Sequence, residues 1–184
     1  MQGQAPPGIV TVGDPFLRRK TRLVKPRDRG QVRILAKKMS EKLEELNAQG
    51  IAAPQVRERF RLVVIRTRPT KVSPDVEEMR RALVLVNPEI VGYSTDFVWR
   101  WEGCLSVPGL MGKVRRYSAV KVKFEDLDGG GHCESFSGFL ARVVQHEVDH
   151  LDNLLYLDQL PPERTAVQNI TTFENYSSFN LKAA

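Results

Sequence analysis

At 184 residues the chain is long enough for one domain with a sizeable core and short for two, and its 41% hydrophobic and 27% charged content is that of an ordinary globular protein. No apolar run approaches the roughly 20 residues of a membrane span, residues 1–7 do not read as a signal peptide, and two cysteines, Cys104 and Cys133, are too few for a disulfide framework. The formal charge of +6 is concentrated between Arg18 and Lys38, where bases meet few acids; a solvated face is the commoner meaning of such a run, a nucleic-acid or ribosome surface the sharper one.

In chain order, residues 1–8 are rich in Pro, Gly and Gln and read as a flexible arm, 9–162 as a single catalytic domain and 163–184 as a tail. Ile9-Val10-Thr11-Val12 is a short β-branched run closed by the turn Gly13-Asp14-Pro15. Across 31–49, apolar residues recur at Val32, Leu35, Ala36, Met39, Leu43 and Leu46, the spacing of an amphipathic helix. Segments 61–65 and 82–86 read as buried strands. Between them, 66–81 is a charged surface insertion with room for one helical turn over 74–81, and Asn87-Pro88 is expected to stop the second strand. Segment 119–124 alternates as a half-exposed strand should, and a Gly-rich turn over 128–132 leads to another strand near 133–136. Gly138 opens a helix that ends near Asn153, a residue type that tolerates the left-handed conformation. Helices and strands without regular βαβ alternation imply an α+β fold, antiparallel sheets packed around a central helix.

That helix carries Gln145-His146-Glu147-Val148-Asp149-His150. Histidines four apart project from one helical face, where a single metal ion takes a nitrogen from each, and Glu147 lies beside the ion's open side to exchange a proton with water. Polar residues on a solvated edge are the bland alternative. Phe139, Leu140, Val143, Val144 and Leu151 surround the motif, however, and burying two His, a Glu and an Asp without a ligand would cost several kcal/mol. A catalytic site needs a third protein ligand. Cys104, 42 residues before His146 and next to Gly103, is the best candidate, although a lone cysteine is ordinarily inert and buried. Thiolate ligation and a free second thiol point to a reducing, intracellular compartment.

Three separated motifs resemble the peptide deformylase family: Gln49-Gly50-Ile51-Ala52-Ala53-Pro54-Gln55, Glu102-Gly103-Cys104-Leu105-Ser106, and Gln145 to Leu151. The opening stretch from Val12 to Arg18 is similar as well, so the resemblance covers roughly residues 9 to 160. It implies a hydrolase that removes the N-formyl group from the initiator methionine of new polypeptides. Cys104, His146 and His150 would hold Fe2+, with Zn2+, Ni2+ or Co2+ able to substitute. Glu147 would be general base and then acid, with the Gln55 amide and the Leu105 N–H as donors to the formyl oxygen. Gln145 and Glu102 match positions that steady the site, and Asp149 is expected to orient a ligand histidine or pair with Arg116. Gly50 and Gly103 would let backbone approach the substrate. Ile51, Phe139 and Val143 are expected to form the methionine pocket, and Arg142 to border it and touch the peptide.

The partners so implied are N-formylmethionyl nascent peptides and a transient ribosome contact, with no membrane and no specific nucleic acid. The setting would be a bacterial cytoplasm or an organelle matrix. Two departures from the family pattern stand out, Ala48 for the first glycine of the opening motif and Asn153 for the glycine after the third. The tail lacks the basic character of a ribosome-docking helix. The competing readings are a zinc peptidase, which would need a ligand downstream of His150, and a structural metal module closed by His132 or Cys133.

Overall fold

The computed structural model describes residues 5–69, 76–161 and 167–169. Helix α1, Arg29–Glu45, buries Val32, Leu35, Ala36, Met39 and Leu43, the stripe that its spacing predicts. It ends earlier than the periodicity suggests. Asn47 enters the left-handed region at φ 49°, and Ala48 N–H closes back on Leu43 O at 3.0 Å, leaving Leu46 beyond the last turn.

Two antiparallel sheets follow. Strands β1 (Gly50–Ala52), β2 (Leu62–Ile65), β3 (Leu83–Tyr93), β6 (Ala119–Glu125) and β7 (Gly131–Ser137) form one sheet in the order β1-β2-β3-β6-β7. Strands β4 (Phe97–Cys104), β5 (Val107–Tyr117) and β8 (Val167–Asn169) form the other in the order β4-β5-β8. Helix α2, Gly138–Leu151, packs between them. Strand β2 is buried on both faces: Leu62 and Val64 join the cluster around α1, while Val63 and Ile65 join Val144, Val148 and Leu151 of α2. Burial on both sides explains its unbroken apolar run, and each such side chain contributes about 1.5–3 kcal/mol. The α+β architecture with antiparallel sheets around a central helix is the one expected.

Several local expectations need correction. Residues 9–12 form no strand; instead Val10 N–H donates to Gln55 O at 2.8 Å and Val12 N–H to Ser106 O at 2.7 Å, lacing together two loops of the site. Asn87-Pro88 does not stop β3. The register shifts between Val86 and Glu89, and this bulge accommodates the proline that cannot donate. Asn87 adopts φ 53°, and its amide exchanges two hydrogen bonds with the Val24 backbone at 2.8 and 3.0 Å. No helical turn forms over 76–81; 74 and 75 lie outside the described residues. That stretch folds back on the end of β2 through Met79 N–H to Thr67 O at 2.9 Å and Thr67 Oγ to Glu77 O at 3.0 Å. Within the 163–184 stretch, residues 167–169 form β8, paired with Leu110 to Gly112 of β5. No described helix is long and apolar enough to cross a membrane.

Candidate metal centre and active site

Helix α2 enters the core because its sequence allows nothing else: every residue from Ala141 to Val148 is buried. It stops where Asn153, at φ 64°, turns the chain and Leu154 N–H reaches back to Asp149 O at 2.8 Å, the left-handed terminus expected of that asparagine. His146 and His150 therefore sit one turn apart on a buried face. The β4–β5 hairpin brings Cys104 to them. Sγ lies 3.2 Å from His150 Nε2, and the three donor atoms of Cys104, His146 and His150 fall within 4.8 Å of one another, the only such cluster among the described residues. One thiolate and two imidazoles suit a divalent transition metal with a position left open.

The surroundings fit a bound cation. Glu102 Oε2 accepts from His146 Nδ1 at 2.9 Å, which leaves Nε2 to face the cluster. The same carboxylate accepts from Arg116 Nε at 2.9 Å and Nη2 at 3.0 Å and from Arg142 Nη1 at 2.6 Å. Burial alone would raise Glu102, but the His146 hydrogen bond and the Arg116 charge hold it well below the usual carboxylate range. Burial likewise pulls both imidazoles down. It leaves His150 well below its ordinary value, while the contacts with Cys104 and Glu102 outweigh it at His146 and leave that ring raised. Arg116 Nη1 also reaches Asp149 Oδ2 at 2.5 Å, the pairing expected from the sequence.

Glu147 stands apart from this network. It is buried, its Oε2 has no hydrogen-bond partner, and burial pushes its carboxyl up to about 7. Its other oxygen occupies the space that a side chain at position 50 would need: a Cβ built on Gly50 lies 2.5 Å from Glu147 Oε1. Gln55, in the 3-10 helix Ala53–Val56, is fixed by Ala52 N–H to its Oε1 at 2.8 Å. This turns its Nε2 toward Ser106 Oγ at 3.2 Å and Cys104 Sγ at 3.5 Å, so a side-chain donor faces the cluster.

The remaining expected residues divide. Leu105 follows Cys104 at the hairpin turn, half-buried, and Gly103 is exposed beside it. Phe139 is half-buried and Val143 buried, both against the sheet side of α2. Ile51 shows no exposed surface and packs in the cluster around α1, which makes it core rather than the wall of an open pocket. Arg142 does not border a pocket with a free guanidinium. It is buried, and besides Glu102 it donates to Val114 O at 3.2 Å and Val98 O at 2.6 Å, because a helix residue one turn before His146 faces the hairpin. Gln145 touches no ligand and instead clamps the Tyr117 backbone at 3.1 and 2.9 Å. Sequence reasoning left Ser106 without a role; its place inside the Glu102–Ser106 motif was the only signal. His132 pairs with Asp126 at 2.8 Å and Cys133 is exposed, so neither closes the cluster as a fourth ligand.

Two histidines from one helix, a cysteine from a hairpin turn and an unpartnered carboxylate beside them define a metal-dependent hydrolase. The family model described as polypeptide deformylase matches residues 6–166. Peptide deformylase 2 of a Nostoc species is 38% identical over 174 residues, covering 95% of this chain and 94% of its own, and the peptide deformylase of Dictyoglomus thermophilum is 43% identical over 155 residues, covering 84% and 93%. The Met-Ala-Ser bound crystal structure of a class I type b peptide deformylase from Acinetobacter baumannii superposes with a TM-score of 0.80 at 38% identity, covering 87% of this chain and 100% of that one. The chain belongs to the polypeptide deformylase family, and its reaction is hydrolytic removal of the N-formyl group from newly made polypeptides.

Proposed function

We propose that Cys104, His146 and His150 hold Fe2+, that Glu147 is the proton-transfer group, and that the preferred substrate begins with formyl-methionine. The observation that carries the reading is the buried Glu147 Oε2, left without a partner beside three metal-type donors. A divalent ion held there supplies Lewis acidity and makes water a nucleophile near neutral pH. Glu147, raised to about 7, takes a proton from the attacking water as its oxygen bonds to the formyl carbon, and returns the proton to the amine nitrogen as the C–N bond breaks. Formate and a free amino terminus result.

Gln55 Nε2 and the Leu105 N–H donate to the formyl oxygen as negative charge develops on it. The Ala52 N–H bond to Gln55 Oε1 holds that donor before substrate arrives, so little reorganisation accompanies the reaction. Glu102 keeps the His146 ring in one tautomer and orientation. Phe139 and Val143 line the side toward the methionine, and Gly50 and Gly103 carry the peptide backbone. The Met-Ala-Ser of the Acinetobacter baumannii structure supports a methionine-first ligand. Residues 9–162 with β8 act as one catalytic unit, working in a bacterial cytoplasm or an organelle matrix.

The test is anaerobic hydrolysis of a formyl-methionyl peptide by Fe2+-loaded protein, beside Glu147→Ala and a matched acetyl peptide. Formate release that requires Glu147 and spares the acetyl peptide is expected. No formate from protein with metal bound would reject the reading.

A further inference from the structure

Exposed Arg19, Lys20, Arg22, Arg57 and Arg59 come from two separate stretches of sequence and are brought onto one face by a parallel bridge between Arg22 and Phe60. Arg22 N–H donates to Arg59 O at 2.7 Å, and Arg61 N–H returns to Arg22 O at 2.9 Å. Two neighbouring arginines have a structural task. Arg18 donates to Asn153 O at 2.8 Å and Arg61 to Leu151 O at 3.4 Å, closing the C-terminal end of α2, where cations are favoured. Arg22 and Arg57 have carboxylate partners in Asp28, at 3.1 Å, and Asp14, at 2.5 Å. Among the described residues no carboxylate lies within ion-pair distance of Arg19, Lys20 or Arg59, although Arg19 is near enough to Asp14 to help lower its carboxyl.

The face is also held in place. The Arg22 guanidinium stands 3.9 Å from the Phe60 ring centroid, and those of Arg19 and Arg57 each stand 5.4 Å from that of Phe16. Arg59 is anchored by Nε and Nη2 to Lys20 O at 3.2 and 3.1 Å. Planar guanidinium forks set by rings and carbonyls lose little freedom on binding and match the oxygens of phosphate. Like charges gathered this closely repel, and an anionic partner relieves the repulsion.

We propose that this face docks the phosphodiester backbone of RNA without reading its sequence. A row of cations along two adjacent segments is engaged together by phosphates repeated along a strand, whereas a lone phosphate reaches one or two of them. Arg57 follows Gln55 by two residues, so RNA held here lies beside the loop that carries Gln55. The proposal stands apart from the metal and residue roles above, because binding is read without formyl peptide.

The test is fluorescence anisotropy of a labelled single-stranded RNA of about 20 nucleotides, titrated with the full chain between about 50 and 200 mM KCl. Lys20→Ser/Arg59→Ser is compared with Lys121→Ser/Lys123→Ser, which removes the same charge from exposed β6 positions. Expected is at least a tenfold loss of affinity in the first variant, with the slope of log K against log salt shallower by about 1.4, and less than a twofold loss in the control. Formyl-peptide hydrolysis is unchanged in both. Lys20→Glu alone, which touches no ion pair among the described residues, keeps the test readable if the double variant folds poorly. Equal losses in variant and control, absence of salt-dependent binding by the parent chain, or binding to phosphatidylglycerol vesicles but not to RNA would each overturn the proposal.

Discussion

Gly50 and Glu147 share one space: any Cβ at position 50 stands 2.5 Å from Oε1 and 2.8 Å from Cγ of the glutamate. The glycine's backbone φ is not in the left-handed region, so the constraint is one of room, imposed by the carboxylate. Gly50→Ala therefore acts by displacing Glu147. Expected is a fall in kcat/KM of about 100-fold, with a loss of stability of about 1–3 kcal/mol by urea unfolding. Full activity in this variant would show that the reaction does not use Glu147 where it now stands.

Glu147→Gln separates activity from stability in the other direction. The variant removes proton transfer, and kcat should drop by about 100- to 10,000-fold. It also replaces a buried carboxylate whose Oε2 is unpartnered by a neutral amide, so thermal stability holds or rises. A large fall in melting temperature would mean that the carboxylate has a structural partner.

Arg142→Met tests a buried strut. The substitution leaves Val98 O without its bond, and Glu102 keeps Arg116 and His146 but loses one cation. Breaking a buried pair by removing one partner typically costs about 3–5 kcal/mol, and urea unfolding should report a loss of that size. KM for a formyl-methionyl peptide should change less than twofold. A selective rise in KM with stability intact would return Arg142 to the substrate-contact role read from sequence.

Chelation should abolish formate release and lower the melting temperature together, because the ion binds the folded cluster alone. At a metal concentration 100 times Kd the linked stabilisation is about 2.7 kcal/mol. Cys104→Ser should remove most of that difference between metal-loaded and chelated protein, as calorimetry would show.

Asp126 organises the Gly-rich turn. Its carboxylate is held at about 2, chiefly by the hydrogen bond with His132 and then by the Gly130 N–H. A depressed carboxylate stabilises the fold above its unfolded value of 3.8 and loses that contribution as pH falls toward 2. Asp126→Asn should flatten the acid limb of the stability curve between about pH 4 and 2. Unchanged steepness in a pH series of urea melts would argue against it.

What the sequence made legible follows from where burial is apolar. The stripe of α1, the unbroken run of β2 and the motif of α2 with its Asn153 terminus are all readable, because hydrophobic period and cap chemistry agree. The β4–β5 hairpin was not, since Phe97, Val98 and Trp99 are exposed while Glu102 and Arg116 are buried, an inversion of the usual pattern. Strand β3 ran past Asn87-Pro88 because a bulge absorbed the missing donor, something that only the Val24 partner reveals. The hairpin partners of Arg142 were hidden for a related reason. Its helical face could be read, but the strand carbonyls waiting on that face belong to residues 28 and 44 positions away.

The two histidines are fixed to each other by a single helical turn, whereas Cys104 arrives on a hairpin of a different sheet, strapped to the helix by Arg116 and Arg142. The spacing of the imidazoles is thus rigid and the approach of sulfur adjustable. Substitutions along the hairpin's exposed strand can therefore shift the sulfur relative to the two rings while Cys104, His146 and His150 all stay the same. The shape of the three-donor cluster can thus change without any change in the residues that form it.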